Sequence, residues 1–152
     1  QGIAKAHWPC RMETVLPGVI IDGAHNEDGI EQFIRTAAHF AREREITILF
    51  SAVCDKKYEE MIRKISEGIR PARVVATQIE GSREVPAEEL AEDFRKAGCR
   101  EVYAQADPAQ AFEQAYAMKG DGMLFCVGSL YLAGELKDHI SKRAKEEKNA
   151  QL

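Results

Sequence analysis

Three short segments carry side chains whose types and spacing could do chemistry. In the first, Asp22-Gly23-Ala24-His25-Asn26, an acid, an imidazole and an amide sit together. Such a set suits a nucleotide's hydroxyls or phosphates, because a helix start presents amides to anions. The alternative is structural, with Asp22 and Asn26 capping a turn and His25 merely exposed. In the second, Asp55-Lys56-Lys57, a cation is available to hold a carboxylate or a phosphate. A solvated lysine at a helix start is the alternative there. In the third, Gly128-Ser129-Leu130-Tyr131, a glycine leads into a hydroxyl and the amides of a first helical turn. That arrangement binds a carboxylate or simply caps a helix.

Absences narrow the chemistry. The sequence holds no GxxxxGK[ST] phosphate loop and no GxGxxG fingerprint, so ATP hydrolysis by this chain alone is not expected. It also lacks a GxSxG nucleophile elbow and an HExxH helix. His7, His25, His39 and His139 form no cluster of ligands, so no metal site is assigned. Cys10, Cys54, Cys99 and Cys126 form no CxxC pair, which fits a reduced, cytoplasmic chain. With 25 acids against 21 bases the net charge is -4, which provides no basic field for nucleic acid. No apolar run approaches the roughly 20 residues that span a bilayer, and the start lacks a secretory pattern. The opening Gln1-Gly2-Ile3, without an initiator Met, reads as a segment of a longer chain.

These segments must be positioned by the elements around them. The run Val19-Ile20-Ile21-Asp22 lacks polar alternation, which predicts a strand buried on both faces, read as a central parallel strand, with Met12 to Val15 adding an edge strand. Asn26 then caps a helix whose apolar face is Ile30, Phe33, Ile34, Ala37 and Ala41. The pattern repeats. Ile46 to Phe50 is a strand followed by a helix through Tyr58, Met61, Ile62, Ile65 and Ile69. Arg73 to Ala76 is a strand followed, after Pro86, by a helix bearing Leu90, Ala91, Phe94 and Ala97. Glu101 to Ala104 is a short strand before a helix opened by Asp107 and Pro108, and Met123 to Val127 is the last buried strand. The final helix starts near Ser129 and runs into a charged tail over 138–152, expected to fray. Strands alternating with helices predict one α/β domain over 1–152, a mostly parallel sheet with helices on both faces. Ligands then gather beyond the carboxyl ends of the strands, where Asp22, His25, Lys56 and Ser129 are all expected.

Trp8-Pro9-Cys10-Arg11-Met12-Glu13, Asp22-Gly23-Ala24-His25-Asn26, Asp55-Lys56 and Gly128-Ser129-Leu130-Tyr131-Leu132-Ala133-Gly134-Glu135 together resemble the C-terminal domain of folylpolyglutamate and dihydrofolate synthases, within the Mur ligase superfamily. The resemblance covers the chain from about Lys5 to Lys137 in order and spacing. It implies a Rossmann-like sheet of about six strands, packed against an N-terminal domain that holds the phosphate loop and most of the contacts to ATP and Mg²⁺. It implies an ATP-dependent ligase of folate biosynthesis and one-carbon metabolism. ATP phosphorylates a folate carboxylate, and the amine of L-glutamate attacks the acyl phosphate. By the same resemblance Arg11 reaches the nucleotide phosphates, Asp22 and Asn26 lie on the nucleotide side, and His25 faces the phosphate or the incoming glutamate. Lys56 pairs with a glutamate carboxylate, and Ser129 and Tyr131 line that pocket, making His25 and Lys56 the catalytic candidates. Cys10 replaces the usual Gly, Glu27 the usual Pro and Lys57 a frequent acid; a Cβ at Cys10 bears on where the turn sends Arg11. The competing readings are a Mur-type peptide ligase and a separate, non-catalytic nucleotide- or amino-acid-binding module.

Overall fold

Burial sorts the apolar residues into two clusters, one on each side of a single sheet. The computed structural model describes residues 11–54, 57–81 and 83–150. Six strands line up in the order β1-β2-β6-β3-β4-β5. They are β1 Glu13–Leu16, β2 Val19–Ile21, β3 Ile46–Phe50, β4 Arg73–Ala76, β5 Val102–Ala104 and β6 Met123–Val127. All neighbouring pairs are parallel except β1 with β2, whose antiparallel register pairs Glu13 with Ile21. The α/β expectation therefore holds.

One detail differs. β2 is buried along its whole length, as its β-branched run demands, yet it stands second from the edge, and β6 and β3 take the middle of the sheet. The short β1 covers the outer edge of β2, so burial on both faces does not require a central place.

The helices are α1 Glu27–Ala41, α2 Tyr58–Ile69, α3 Ala87–Lys96, α4 Pro108–Lys119 and α5 Leu130–Ala150. Their starts are set by local chemistry. The Asn26 side chain accepts from Gly29 N at 2.9 Å, and Asp107 accepts from Gln110 N at 2.9 Å just ahead of Pro108. Ile30 and Phe33 of α1, Ile62 and Ile65 of α2 and Leu90 and Phe94 of α3 enter the cluster on one face. Ala111 and Phe112 of α4 and Leu132 and Leu136 of α5 enter the other.

This division opens the site. β2 and β6 are hydrogen-bonded neighbours, but the chain leaving β2 enters α1 on one face while the chain leaving β6 enters α5 on the opposite face. Neighbouring strands whose connections diverge in this way leave a crevice at their carboxyl ends.

α5 continues through Ala150. Its middle is anchored: His139 Nε2 meets Glu113 at 2.8 Å, Ile140 is buried, and Arg143 Nε reaches the same Glu113 at 2.8 Å. Only the turns beyond Arg143 are wholly exposed.

Candidate functional site

Two backbone hydrogen bonds extend the β2–β6 pairing past the ends of the strands. Asp22 N–H donates to Cys126 O at 2.9 Å, and Gly128 N–H donates to Ala24 O at 3.0 Å. The loop 22–26 and the segment 128–131 are thereby held side by side before they part. Gly128 has φ +112°, and a Cβ there would lie 2.2 Å from Ser51 O and 2.7 Å from the Phe50 ring. Glycine is thus required both by backbone conformation and by the closeness of the end of β3.

Asp22 is 3% exposed, and its Oδ1 accepts from Ala24 N at 2.8 Å. Burial pushes its carboxyl above the usual range, opposed by the amides of Ala24 and Met12 and by the Arg11 charge. The structure therefore does bring Arg11 towards Asp22. Arg11 is itself exposed and donates to Gln32 Oε1 on α1, and Met12 beside it takes a left-handed φ of +45°. Cys10, Asp55 and Lys56 lie outside the described residues.

His25 is half-buried, and its Nδ1 lies 2.9 Å from Gly23 O. A donor at Nδ1 leaves Nε2 as the basic atom of the neutral ring. Asn26 uses its side-chain oxygen to cap α1, which fixes the amide and leaves its NH₂ donors to offer a ligand. Ser129 is 3% exposed, and its Oγ accepts from Tyr131 N at 3.0 Å and Leu132 N at 3.2 Å. Its capping role is therefore realised, and the hydroxyl proton is what it has left to offer a ligand. Tyr131 is 67% exposed on the first turn of α5.

A cleft of about 550 Å³, within the usual range of ligand sites, brings several of these residues together. It is lined by His25, by Ser129, Leu130 and Tyr131 at the start of α5, by Ile79, Glu80, Gly81, Arg83 and Glu84 after β4, and by Val53 and Gly128. Asp22, Arg11 and Asn26 are not on its walls. Among the described residues no group of three or more His, Cys, Asp or Glu could hold a metal ion.

The loop 79–84 was not singled out in the sequence. The signal for it was present, since it follows the carboxyl end of β4 and so obeys the same rule that pointed to the other loops. Its charged residues, spread among Gly81 and surface-type neighbours, resemble those of any solvated turn.

A family model described as the Mur ligase glutamate ligase domain matches residues 10–130. The chain belongs to that family. This ligase domain is 32% identical over 146 residues to the dihydrofolate synthase/folylpolyglutamate synthase of Bacillus subtilis, covering 92% of the chain and 32% of the relative. It is 29% identical over 142 residues to the folylpolyglutamate synthase of Lacticaseibacillus casei, covering 92% of the chain and 31% of the relative. The chain thus spans about a third of the length of these curated relatives. In fold the domain matches E. coli FolC in complex with DHPP and ADP, with TM-score 0.81 and 23% identity over 94% of this chain and 34% of that one. It also matches Mycobacterium tuberculosis folylpolyglutamate synthase complexed with ADP, with TM-score 0.78 and 23% identity over 91% and 34%. The expected Rossmann-like domain of the Mur ligase superfamily is therefore the observed one.

Proposed function

We propose that this domain is the C-terminal part of an ATP-dependent ligase that adds L-glutamate to a folate and works only when joined to an N-terminal phosphate-loop domain. The observation that carries the reading is the crevice between β2 and β6, where the Asp22–His25 loop and the Ser129 helix start are tied together by the Gly128–Ala24 hydrogen bond. Relatives with this domain bear the names of folate ligases, and solved structures with this fold hold ADP.

The residues fit a nucleotide on the β1–β2 side: Arg11 supplies a cation for phosphates and Asp22 a carboxylate for the ribose side. Mg²⁺, which supplies charge neutralisation at the phosphates, is assigned mainly to the N-terminal domain. In the reaction a folate carboxylate takes the γ-phosphoryl group and releases ADP; the glutamate amine then forms the C–N bond as phosphate departs. His25, which lines the cleft, carries an imidazole of the type that accepts a proton from an attacking amine. Ser129, Tyr131 and Lys56 would hold the amino acid. The need is for positioning and fixed dipoles rather than a covalent nucleophile, which matches what the site contains.

Such a ligase would work in the cytoplasm; Cys54, Cys99 and Cys126 are free thiols, which suits a reducing compartment. No helix among the described residues is long and apolar enough to cross a membrane.

The test measures ADP release by the full-length ligase with L-glutamate and either dihydropteroate or a reduced folate, and by this domain with and without its N-terminal partner. The expected result is glutamate-dependent release by the full enzyme and none by the domain alone. Turnover by the domain alone, or turnover only with a peptide-bearing nucleotide, would overturn the reading.

A further inference from the structure

A second cleft lies at the other end of the sheet. The connections α2–β4 and α3–β5 reach the amino ends of two paired parallel strands, and with the last turns of the two helices they line a cleft of about 580 Å³. That volume is within the usual range of ligand sites. β4 separates it from the carboxyl ends of the strands by its own length, about 13 Å for its four residues. Ser66, Pro71, Ala72 and Cys99 line it together with Arg70 and Arg100. The Ser66 hydroxyl and the Cys99 thiol lie 3.5 Å apart, and burial pushes the thiol up, so it stays neutral and adds no negative charge.

The two arginines are left over by the ion pairing around them. Glu67, which lines the same cleft, is paired with Arg63 at 3.1 Å, and Glu101 next to Arg100 is paired with Arg73 at 3.5 Å. Among the described residues the guanidinium groups of Arg70 and Arg100 have no hydrogen bond or ion pair of their own. The C-terminal ends of α2 and α3, with their outward carbonyls, favour cations there and offset the repulsion between the two. Arg70 also stands in a costly conformation. It caps α2 with φ 53° and ψ 61°, the left-handed region in which glycine is usual and a side chain is disfavoured. Glycine at this position would be less strained but would carry no charge, so a strained arginine points to a use for its guanidinium.

We propose that this cleft binds a small phosphate ester, with Arg70 and Arg100 pairing with the phosphate and Pro71, Ala72 and Ala97 covering the apolar part of the molecule. Charge decides between the ligand groups. Two cations on separate connections match one phosphate, which carries about −1.5 to −2 charges near neutral pH and three acceptor oxygens. A single carboxylate would leave one guanidinium without a partner. The chain's net charge of -4 opposes anions in general, so the attraction has to be local to a site of this kind. None of these residues belongs to the crevice between β2 and β6, so the site stands whether or not the ligase reading does.

The experiment titrates phenyl phosphate, inorganic phosphate and the dicarboxylate glutarate into the 152-residue chain and follows backbone amide shifts by NMR. Phenyl phosphate should move the amides of Ala72, Gly98, Cys99 and Arg100 with a Kd on the order of 1 mM. Inorganic phosphate should move the same amides but bind more weakly, and glutarate more weakly still. Arg70→Gly should weaken phenyl phosphate about fivefold or more while raising Tm by about 2 °C, because glycine is unstrained at the left-handed position. Arg100→Gln should weaken binding similarly with Tm unchanged. Affinity falling as stability rises is an outcome that a purely structural arginine would not give. Shifts confined to residues 22–26 and 128–131, tighter binding of glutarate than of phenyl phosphate, or unchanged binding in both variants would overturn the proposal.

Discussion

Gly128 N–H donates to the Ala24 carbonyl at 3.0 Å, which ties the loop bearing His25 to the helix start bearing Ser129. Replacing Gly128 with Ala should break this arrangement. The left-handed φ and a Cβ placed 2.2 Å from Ser51 O together cost about 3 kcal/mol or more. Denaturant unfolding reads the loss; a cost below about 1 kcal/mol would mean that the end of β3 can retreat.

Asp22 gives a pH-dependent prediction. Its folded pKa is raised by burial above the ordinary 3.8, so the fold favours the protonated acid and loses stability as pH rises through the folded value. Asp22→Asn keeps an oxygen for Ala24 N and removes the buried charge. The domain carrying it should melt a few degrees higher at pH 7, with the difference vanishing below about pH 4. A variant less stable than wild type at pH 7 would show that the neighbouring amides and Arg11 outweigh burial.

Arg73 knits together the amino ends of β3, β4 and β5, at the far end of the sheet from the cleft. Its guanidinium, 14% exposed, donates to Thr47 Oγ1 at 3.0 Å and to Met118 O at 3.1 Å, with Glu45 and Glu101 at 3.2 and 3.5 Å. The two acids are largely exposed and contribute little, so the buried acceptors dominate. Arg73→Ala should cost about 2 kcal/mol, measured by urea unfolding, while Glu45→Ala should cost less than about 0.5 kcal/mol.

Ser129 should show two separable effects. Ser129→Ala removes the cap of α5 and should cost about 1 kcal/mol, seen as a Tm lower by about 2–4 °C. In the full enzyme it should also raise the KM for glutamate more than that for ATP. Ser129→Thr, which keeps the hydroxyl, should recover most of both; equal shifts in the two KM values would mark Ser129 as a cap alone.

The end of α5 should divide at Arg143. Removing residues 145–152 takes away only exposed turns and should move Tm by no more than about 2 °C. Removing 139–152 also takes His139, Ile140 and Arg143 from Glu113 and the Tyr116 ring, the guanidinium lying 5.0 Å above that ring, and should lower Tm by clearly more. Equal shifts would show that the anchoring is weak.

The sequence by itself determined the elements and their caps. β-branched runs at Val19–Ile21 and Ile46–Phe50, apolar spacing in α2 and α3, and side-chain oxygens at Asn26, Asp107 and Ser129 act within a few residues of themselves, so their effects can be read locally. It also supplied the loop 22–26 and the segment 128–131 as candidates, because polar residues following buried strands are local patterns too. Only the tertiary structure decided which strands are neighbours. A run of Val and Ile states that both faces are covered, but not by what; β2 proved to be second from the edge, and β6 inserted itself between β2 and β3. That insertion joins segments from distant parts of the chain through the Gly128–Ala24 bond, and the Val53–Glu84 bridge ties the segment after β4 to the one after β3, so that both line the same cleft as Ser129. Interstrand pairing of this kind is chosen by packing across the whole sheet, which no single segment of sequence encodes.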